Sequence, residues 1–159
     1  MNTSIQTLTF IFDNETDHVL LFQSAEEGPV KRKHSGIKGI IGTTEELSQA
    51  AIRSVEQACG LTVKEPVLRG VVKAIREENQ SSIVYLIYET SRFSGELENK
   101  LRGRLKWVDI LDIFNLQMEG FVHELMPNLL DGESFFEGSI FLSETEEVLK
   151  SEIRICNSI

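Results

Sequence analysis

Cysteine is scarce in this chain: Cys59 and Cys156 are its whole complement. With no C-x-x-C pair and no set of spaced cysteines, neither a disulfide framework nor a zinc knuckle is expected. Basic residues are in short supply as well, 16 Lys and Arg against 25 Asp and Glu, for a formal net charge of -9. A surface of that sign does not neutralise runs of phosphate, which excludes a broad DNA- or RNA-binding face. Long apolar runs are missing; the longest are strand-sized, so no membrane-spanning helix is expected. The opening stretch MNTSIQTLTFIF carries neither the basic flank nor the small-residue cleavage site of a secretory signal. Together these absences predict a cytoplasmic, reduced protein with no nucleic-acid and no membrane partner.

Several catalytic signatures are also absent. There is no G-x-S-x-G elbow and no P-loop in the sequence. His18, His34 and His123 are scattered without the spacing of metal ligands. Cys59 falls at the end of a helical pattern, where the helix dipole opposes a thiolate, so it is not expected to be a nucleophile.

What is present describes an ordinary folded domain. The 159 residues, 41% hydrophobic and 26% charged, fit one unit spanning 1–159 with its own core. Two β-type runs, 8–12 and 18–23, flank a polar turn, which is a hairpin pattern. The segment SGIKGIIG reads as a short strand approached closely by a neighbour. LTVKEPVLRGVVKAIRE and SSIVYLIYETS are rich in Val, Ile and Tyr and enclose the turn EENQ, so a second hairpin is expected. A polar loop, FSGELENKLRG, follows. RLKWVDILDIF then supplies a strand and short helix, GFVHELMPNLLDG a helix interrupted at Pro127, and SFFEGSIFLS a final strand. Intermixed helices and strands place the chain in the mixed α/β class.

The helix between Gly42 and Leu61 has the clearest pattern. Thr43 and Glu46 have capping-box spacing and Gly60 stands where a left-handed C-terminal cap would. Leu47, Ala50, Ala51, Ser54, Val55 and Ala58 share one face, with Glu45, Gln49, Arg53 and Glu56 on the other. Such a helix is expected to pack on a sheet, with Arg53 pairing with Glu56. Two basic clusters stand out against the acidic background: Lys31, Arg32, Lys33, His34 and Lys38, then Arg102, Arg104 and Lys106. They read either as solvated patches or as the walls of a small anion pocket.

Strand, glycine, loop, capped helix, glycine and strand, in that order, resemble the Nudix hydrolases, whose box reads G-x5-E-x7-R-E-U-x-E-E-x-G-U with U apolar. Gly39, Glu45, Arg53, Val55, Gly60 and Leu61 match in register. Beyond the box, LRGVVKAI, the segment around Trp107 and the helices and strand after it are similar to MutT-type, 8-oxo-dGTP-diphosphatase-like members. The resemblance implies a Nudix fold, an α/β/α sandwich with a central mixed β-sheet. It also implies hydrolysis of a nucleoside diphosphate linked to a group X, with Mg²⁺ or Mn²⁺ held by glutamates of the box helix.

Three positions depart from that pattern: where the family has glutamates, this chain has Ser54, Gln57 and Ala58. Mg²⁺ asks for anionic oxygen ligands, which a hydroxyl, an amide and a methyl do not supply, so no metal site and no metal cofactor are expected. Gly42 and Ile40 replace an acidic residue and a lysine of the family's loop, and Arg102, Arg104 and Lys106 stand where relatives are acidic. A bound metal contributes several kcal/mol to such a reaction and about 1.4 kcal/mol is tenfold in rate, so its loss is close to fatal for turnover.

Three readings follow. One is a catalytically impaired Nudix-like module that binds a nucleotide or phosphorylated small molecule through Lys33, His34, Lys38, Arg102 and Arg104. Another is a working hydrolase, dependent on Mg²⁺ or Mn²⁺, that recruits Glu89, Glu96 or Glu98 as substitute carboxylates. The third is a homodimeric scaffold without ligand.

Overall fold

The computed structural model describes residues 2–156. Strand β1 (Asn2–Asp13) turns into β2 (His18–Ser24) as an antiparallel hairpin, with Asp13 opposite His18. Two short pieces follow, β3 (His34–Ser35) and β4 (Ile37–Ile40), then helix α1 (Leu47–Cys59). Beyond it lie β5 (Thr62–Lys64), β6 (Val67–Arg76), β7 (Ser81–Thr90), β8 (Arg92–Ser94) and β9 (Gly103–Asp109). A 3₁₀ turn (Ile110–Asn115), helix α2 (Gly120–Leu130), β10 (Phe135–Leu142) and β11 (Val148–Cys156) complete the order.

The main sheet runs β11-β10-β6-β7-β1-β2-β3, with β4 added on β1 and β9 on β2. β1 lies parallel to β7 and β10 parallel to β6, whereas β6 and β7 form the antiparallel hairpin expected from their sequence. The sheet is therefore mixed. Alternation along β1 sends Leu8, Phe10 and Phe12 into a core shared with α2 and Ile11 into one shared with α1. Because side chains on a strand point alternately to opposite faces, one strand feeds both layers. The architecture is an α/β/α sandwich with one helix on each face.

Four local expectations are corrected. The Thr43–Glu46 capping box does not form: α1 starts after Glu46, which makes no side-chain cap bond. Leu47, placed on the buried face by periodicity, is 47% exposed because it opens the first turn, beyond the sheet's cover. Helix α2 runs through Pro127 without interruption; burial of Phe121, Val122, Leu125, Met126 and Leu129 on one stripe outweighs the hydrogen bond a proline cannot donate. Finally, β10 is not the last strand, because β11 pairs with it along its length. The mixed polar sequence of β11, VLKSEIRIC, suits a sheet edge and hides the β-pattern.

Two polar anchors hold the helices. Gly60 caps α1 in the left-handed conformation (φ 76°) and donates its N–H to Glu56 O at 2.9 Å, as its position in the sequence predicts. The C-terminal end of α2 is held by Arg69, 4% exposed, which donates to the carbonyls of Asn128, Leu129 and Ser134 and to Asp131 and Glu89. A buried guanidinium thereby satisfies helix-terminal carbonyls that have no partner within the helix.

Gly39 decides how closely α1 can sit. A Cβ at this position would fall 1.9 Å from Ser54 Oγ and 2.4 Å from Ser54 Cβ. Gly39→Ala therefore has to push the helix off the strand. Urea denaturation is expected to show a loss of about 1–3 kcal/mol, the usual scale of overpacking. Part of it returns on adding Ser54→Gly, since removing Oγ alone leaves the Cβ clash.

Candidate functional site

The loop 41–46 and helix α1 form one unit around Arg53. Its Nε donates to Glu45 Oε2 at 2.7 Å and one Nη to Glu45 Oε1 at 2.9 Å. The guanidinium also reaches Ile40 O at 2.6 Å and Gln57 Oε1 at 2.9 Å, while Gly42 N–H donates to Glu45 Oε1 at 3.0 Å. Arg53 thus pairs with Glu45 rather than with Glu56. The two-pronged fork is better oriented than a lone surface pair at helical spacing. The Arg53 hydrogen bonds, then that of Gly42, hold the Glu45 carboxyl at about 2, well below its ordinary 4.5. This assembly fixes the loop between β4 and α1, from Ile40 to Arg53.

The three box positions without glutamate fall on different surfaces of α1. Ser54 is 7% exposed and packed against Gly39, and its Oγ has no hydrogen-bond partner. Ala58 is buried in the α1-side core with Val55 and Leu61. Gln57 is exposed, with its amide oxygen already accepting from Arg53. A shallow groove of about 400 Å³ runs along the solvent side, lined by Glu45, Gln49, Arg53, Glu56, Gln57 and Lys100. The donor set does not fit a hard divalent cation: one hydroxyl is sealed against the sheet, one amide oxygen is committed, and the third position offers a methyl. Among the described residues no three of His, Cys, Asp and Glu cluster where they could hold a metal ion.

The carboxylates expected as substitutes separate into two places. Glu96 and Glu98 belong to a loop docked on the C-terminal end of α1, where Glu98 N–H donates to Cys59 O at 2.8 Å and Lys100 N–H to Ala58 O at 3.0 Å. Gly60 permits this, since a Cβ there would stand 3.2 Å from Glu96 O. Both glutamates are exposed. Glu89 lies on the other face of the sheet, that of α2, bound to Arg69 at 2.6 Å. It is kept from α1 by the thickness of the sheet.

The basic clusters converge. Gln23 of β2 is paired with His34 on one side and with Arg104 on the other, so the two segments flank a single strand end. Ser24 N–H donates to Lys33 O, Arg32 N–H to Ser24 O, and Ala25 N–H to Arg102 O. The Gln23 amide clips the first segment in place by donating to Arg32 O at 2.9 Å. Arg32, Arg102, Arg104 and Lys106 are exposed, and among the described residues they enter no salt bridge. His34 is buried, with Nδ1 on Gln117 O at 2.9 Å and Nε2 unpartnered. Burial lowers its pKa, the hydrogen bond to Gln117 raises it, and the charge of Lys106 lowers it again. Lys38 stands apart: Glu119, 5% exposed, takes its ammonium at 2.7 Å, beside the Phe121 ring. Sequence reading missed both Gln23 and Glu119, since one clips a loop and the other meets its partner across 81 residues.

Cys59 is buried, and desolvation raises its thiol pKa. It is an inert core residue. Trp107 tilts against Phe93 at 5.2 Å in the α1-side core. No helix among the described residues is long and apolar enough to cross a membrane.

Solved structures share this architecture. A mutator MutT protein from Bacillus halodurans superposes with a TM-score of 0.84 at 21% identity, covering 94% of this chain and 97% of that one. A MutT Nudix hydrolase from Burkholderia pseudomallei gives 0.71 at 18% identity over 80% and 98% of the two chains. The Nudix domain of NrtR from Shewanella oneidensis, crystallised with ADP-ribose, gives 0.65 at 15% identity over 82% and 87%. The fold is that of the MutT-type Nudix hydrolases. No family profile matches the sequence, and no curated protein matches it either.

The Glu45–Arg53 fork has a pH signature. A carboxyl lowered from 4.5 to about 2 contributes stability that is fully present above pH 4.5 and lost as pH falls toward 2. Thermal melts of the natural protein and Glu45→Gln across pH 2–7 are expected to differ near neutrality and to converge at the acid end.

Proposed function

We propose that this chain is a Nudix-superfamily module that binds a nucleotide or phosphorylated small molecule without hydrolysing it at a useful rate. The observation that carries this reading is the double change in charge. No carboxylate stands at Ser54, Gln57 or Ala58, while Arg32, Arg102, Arg104 and Lys106 form an exposed patch around one strand end. Metal-assisted phosphoryl chemistry needs the former; binding phosphate directly uses the latter, because guanidinium groups form charge-assisted forks with phosphate oxygens. Lys33 and His34 border the patch, whereas Lys38 serves Glu119. The ADP-ribose held by the NrtR domain makes that molecule the first ligand to try. Free thiols at Cys59 and Cys156 agree with a cytoplasmic location.

A second reading is an active Mg²⁺- or Mn²⁺-dependent hydrolase. The docking of Glu96 and Glu98 beside the end of α1 favours it, and Glu89 plays no part in it.

Calorimetry with ADP-ribose and inorganic pyrophosphate, beside hydrolysis assays on nucleoside triphosphates and 8-oxo-dGTP with Mg²⁺ or Mn²⁺, separates the two. Metal-independent binding is expected, weakened about tenfold or more by Arg104→Gln with Lys106→Gln, and no turnover above background. Metal-dependent turnover that falls on Glu96→Gln or Glu98→Gln would overturn the binding reading. A control with Gly42→Glu, Ser54→Glu, Gln57→Glu and Ala58→Glu asks whether restored carboxylates recover metal-dependent hydrolysis.

A further inference from the structure

Glu89 is left over from the site around α1, and its surroundings give it a different task. A cleft of about 430 Å³ opens on the α2 side of the sheet, between the ends of β1 and β7 and the last turn of α2. Its walls include the apolar residues Phe12, Ile110, Leu129 and Leu130, with Glu89 and the polar Asn14 and Thr90 beside them. The volume lies within the range of about 300–1,000 Å³ usual for small-molecule pockets. Phe12 is four residues along β1 from Leu8, which faces Lys38 on β4, a distance of about 13 Å at strand rise.

The carboxylate is held rigidly. Glu89 Oε1 accepts from Arg69 at 2.6 Å, and Arg69 is itself fixed by the carbonyls of Asn128, Leu129 and Ser134 and by Asp131. Asp131 stays ionised, since hydrogen bonds from Glu133 and Ser134 hold its carboxyl at about 2. One guanidinium between two carboxylates leaves the cluster with an excess negative charge. The carbonyl end of α2 adds to it. At the rim, the positive charge of Arg92 is matched by Glu65 at 2.6 Å. Among the described residues, Glu89 Oε2 is in no hydrogen bond within the protein.

We infer that this cleft is a binding site for a small organic cation, a primary ammonium carried on an aryl or alkyl body. The ammonium sits on Glu89 Oε2 and the body lies among Phe12, Ile110, Leu129 and Leu130. A fixed carboxylate accepts a charge-assisted hydrogen bond with little reorganisation, and the apolar walls favour a cation with an apolar body over a hydrated metal ion. The opposite sign of charge separates this site from the phosphate-binding patch around β2, and it does not depend on that patch being correct.

Benzylammonium is the probe, with benzyl alcohol and benzoate as neutral and anionic matches, titrated by calorimetry and by NMR shifts of the β7 and α2 amides. Saturable binding of benzylammonium is expected, with the alcohol and the acid each weaker by about tenfold or more. Glu89→Gln, which keeps an oxygen for Arg69, is expected to weaken benzylammonium by a similar factor. Val67→Lys, at an exposed position of the cleft wall, adds a repelling charge without touching Arg69 and decides the matter should Glu89→Gln not fold. Equal affinity for the alcohol, no saturation, or an unchanged affinity in folded variants would overturn the assignment. Displacement by pyrophosphate would also overturn it, whereas a failure of pyrophosphate to bind anywhere would sink only the phosphate-binding reading.

Discussion

Helix α1 is seated on the sheet by a contact that tolerates no side chain at all on one partner: Ser54 meets the bare Cα of Gly39. The rest of the site depends on that approach. With the helix this close, Arg53 can reach back to Ile40 O and grip Glu45, which fixes the loop before the helix. The same closeness seals Ser54 and Ala58 against the sheet. The loop and helix α1 are therefore held by packing and by the Arg53–Glu45 fork, without any carboxylate at Ser54, Gln57 or Ala58.

Charge is then distributed in an unusual way for an acidic protein. Cations gather around the end of β2 because three backbone hydrogen bonds and the Gln23 amide tie the segments after β2 and before β9 to that strand. Three cations elsewhere are matched: Lys38 by Glu119, the buried Arg69 by Glu89 and Asp131, and Arg76 by Glu146. Unmatched charge inside would carry a heavy desolvation cost, and on the surface it costs little. Among the described residues, Arg32, Arg102, Arg104 and Lys106 are thus left exposed without carboxylate partners, whereas the Glu89 carboxylate is paired with Arg69.

Much of the fold was legible in the residues. The β1–β2 and β6–β7 hairpins follow from apolar runs around short polar turns, and Gly60 marks the end of α1 by the conformation it alone adopts easily. The helix faces follow from periodicity, Leu47 excepted. What was illegible has a common cause: the outcome depended on a competitor elsewhere in the chain. Glu56 lost its expected pairing with Arg53 to Glu45, and Thr43 lost its cap, since the fork binds the loop in another geometry. Pro127 lies inside a helix because burial of α2 outweighs its missing donor. β11 carries no apolar run, because an edge strand has only its pairing with β10 to satisfy.

The sequence by itself determined the β1–β2 and β6–β7 hairpins, the helix that ends at Gly60, and the absence of carboxylates at Ser54, Gln57 and Ala58. These are local properties, written in spacing and residue type. Tertiary structure alone decided which charges remain available. Lys38 and Lys106 read alike in sequence, yet one is bound to Glu119, 81 residues away, and the other stands exposed beside His34. Glu89 and Glu96 likewise read as interchangeable acids, but the sheet puts them on different faces and Arg69 fixes the first. Partnership between charges is a matter of distance in space, to which the fold brings residues that the chain keeps far apart.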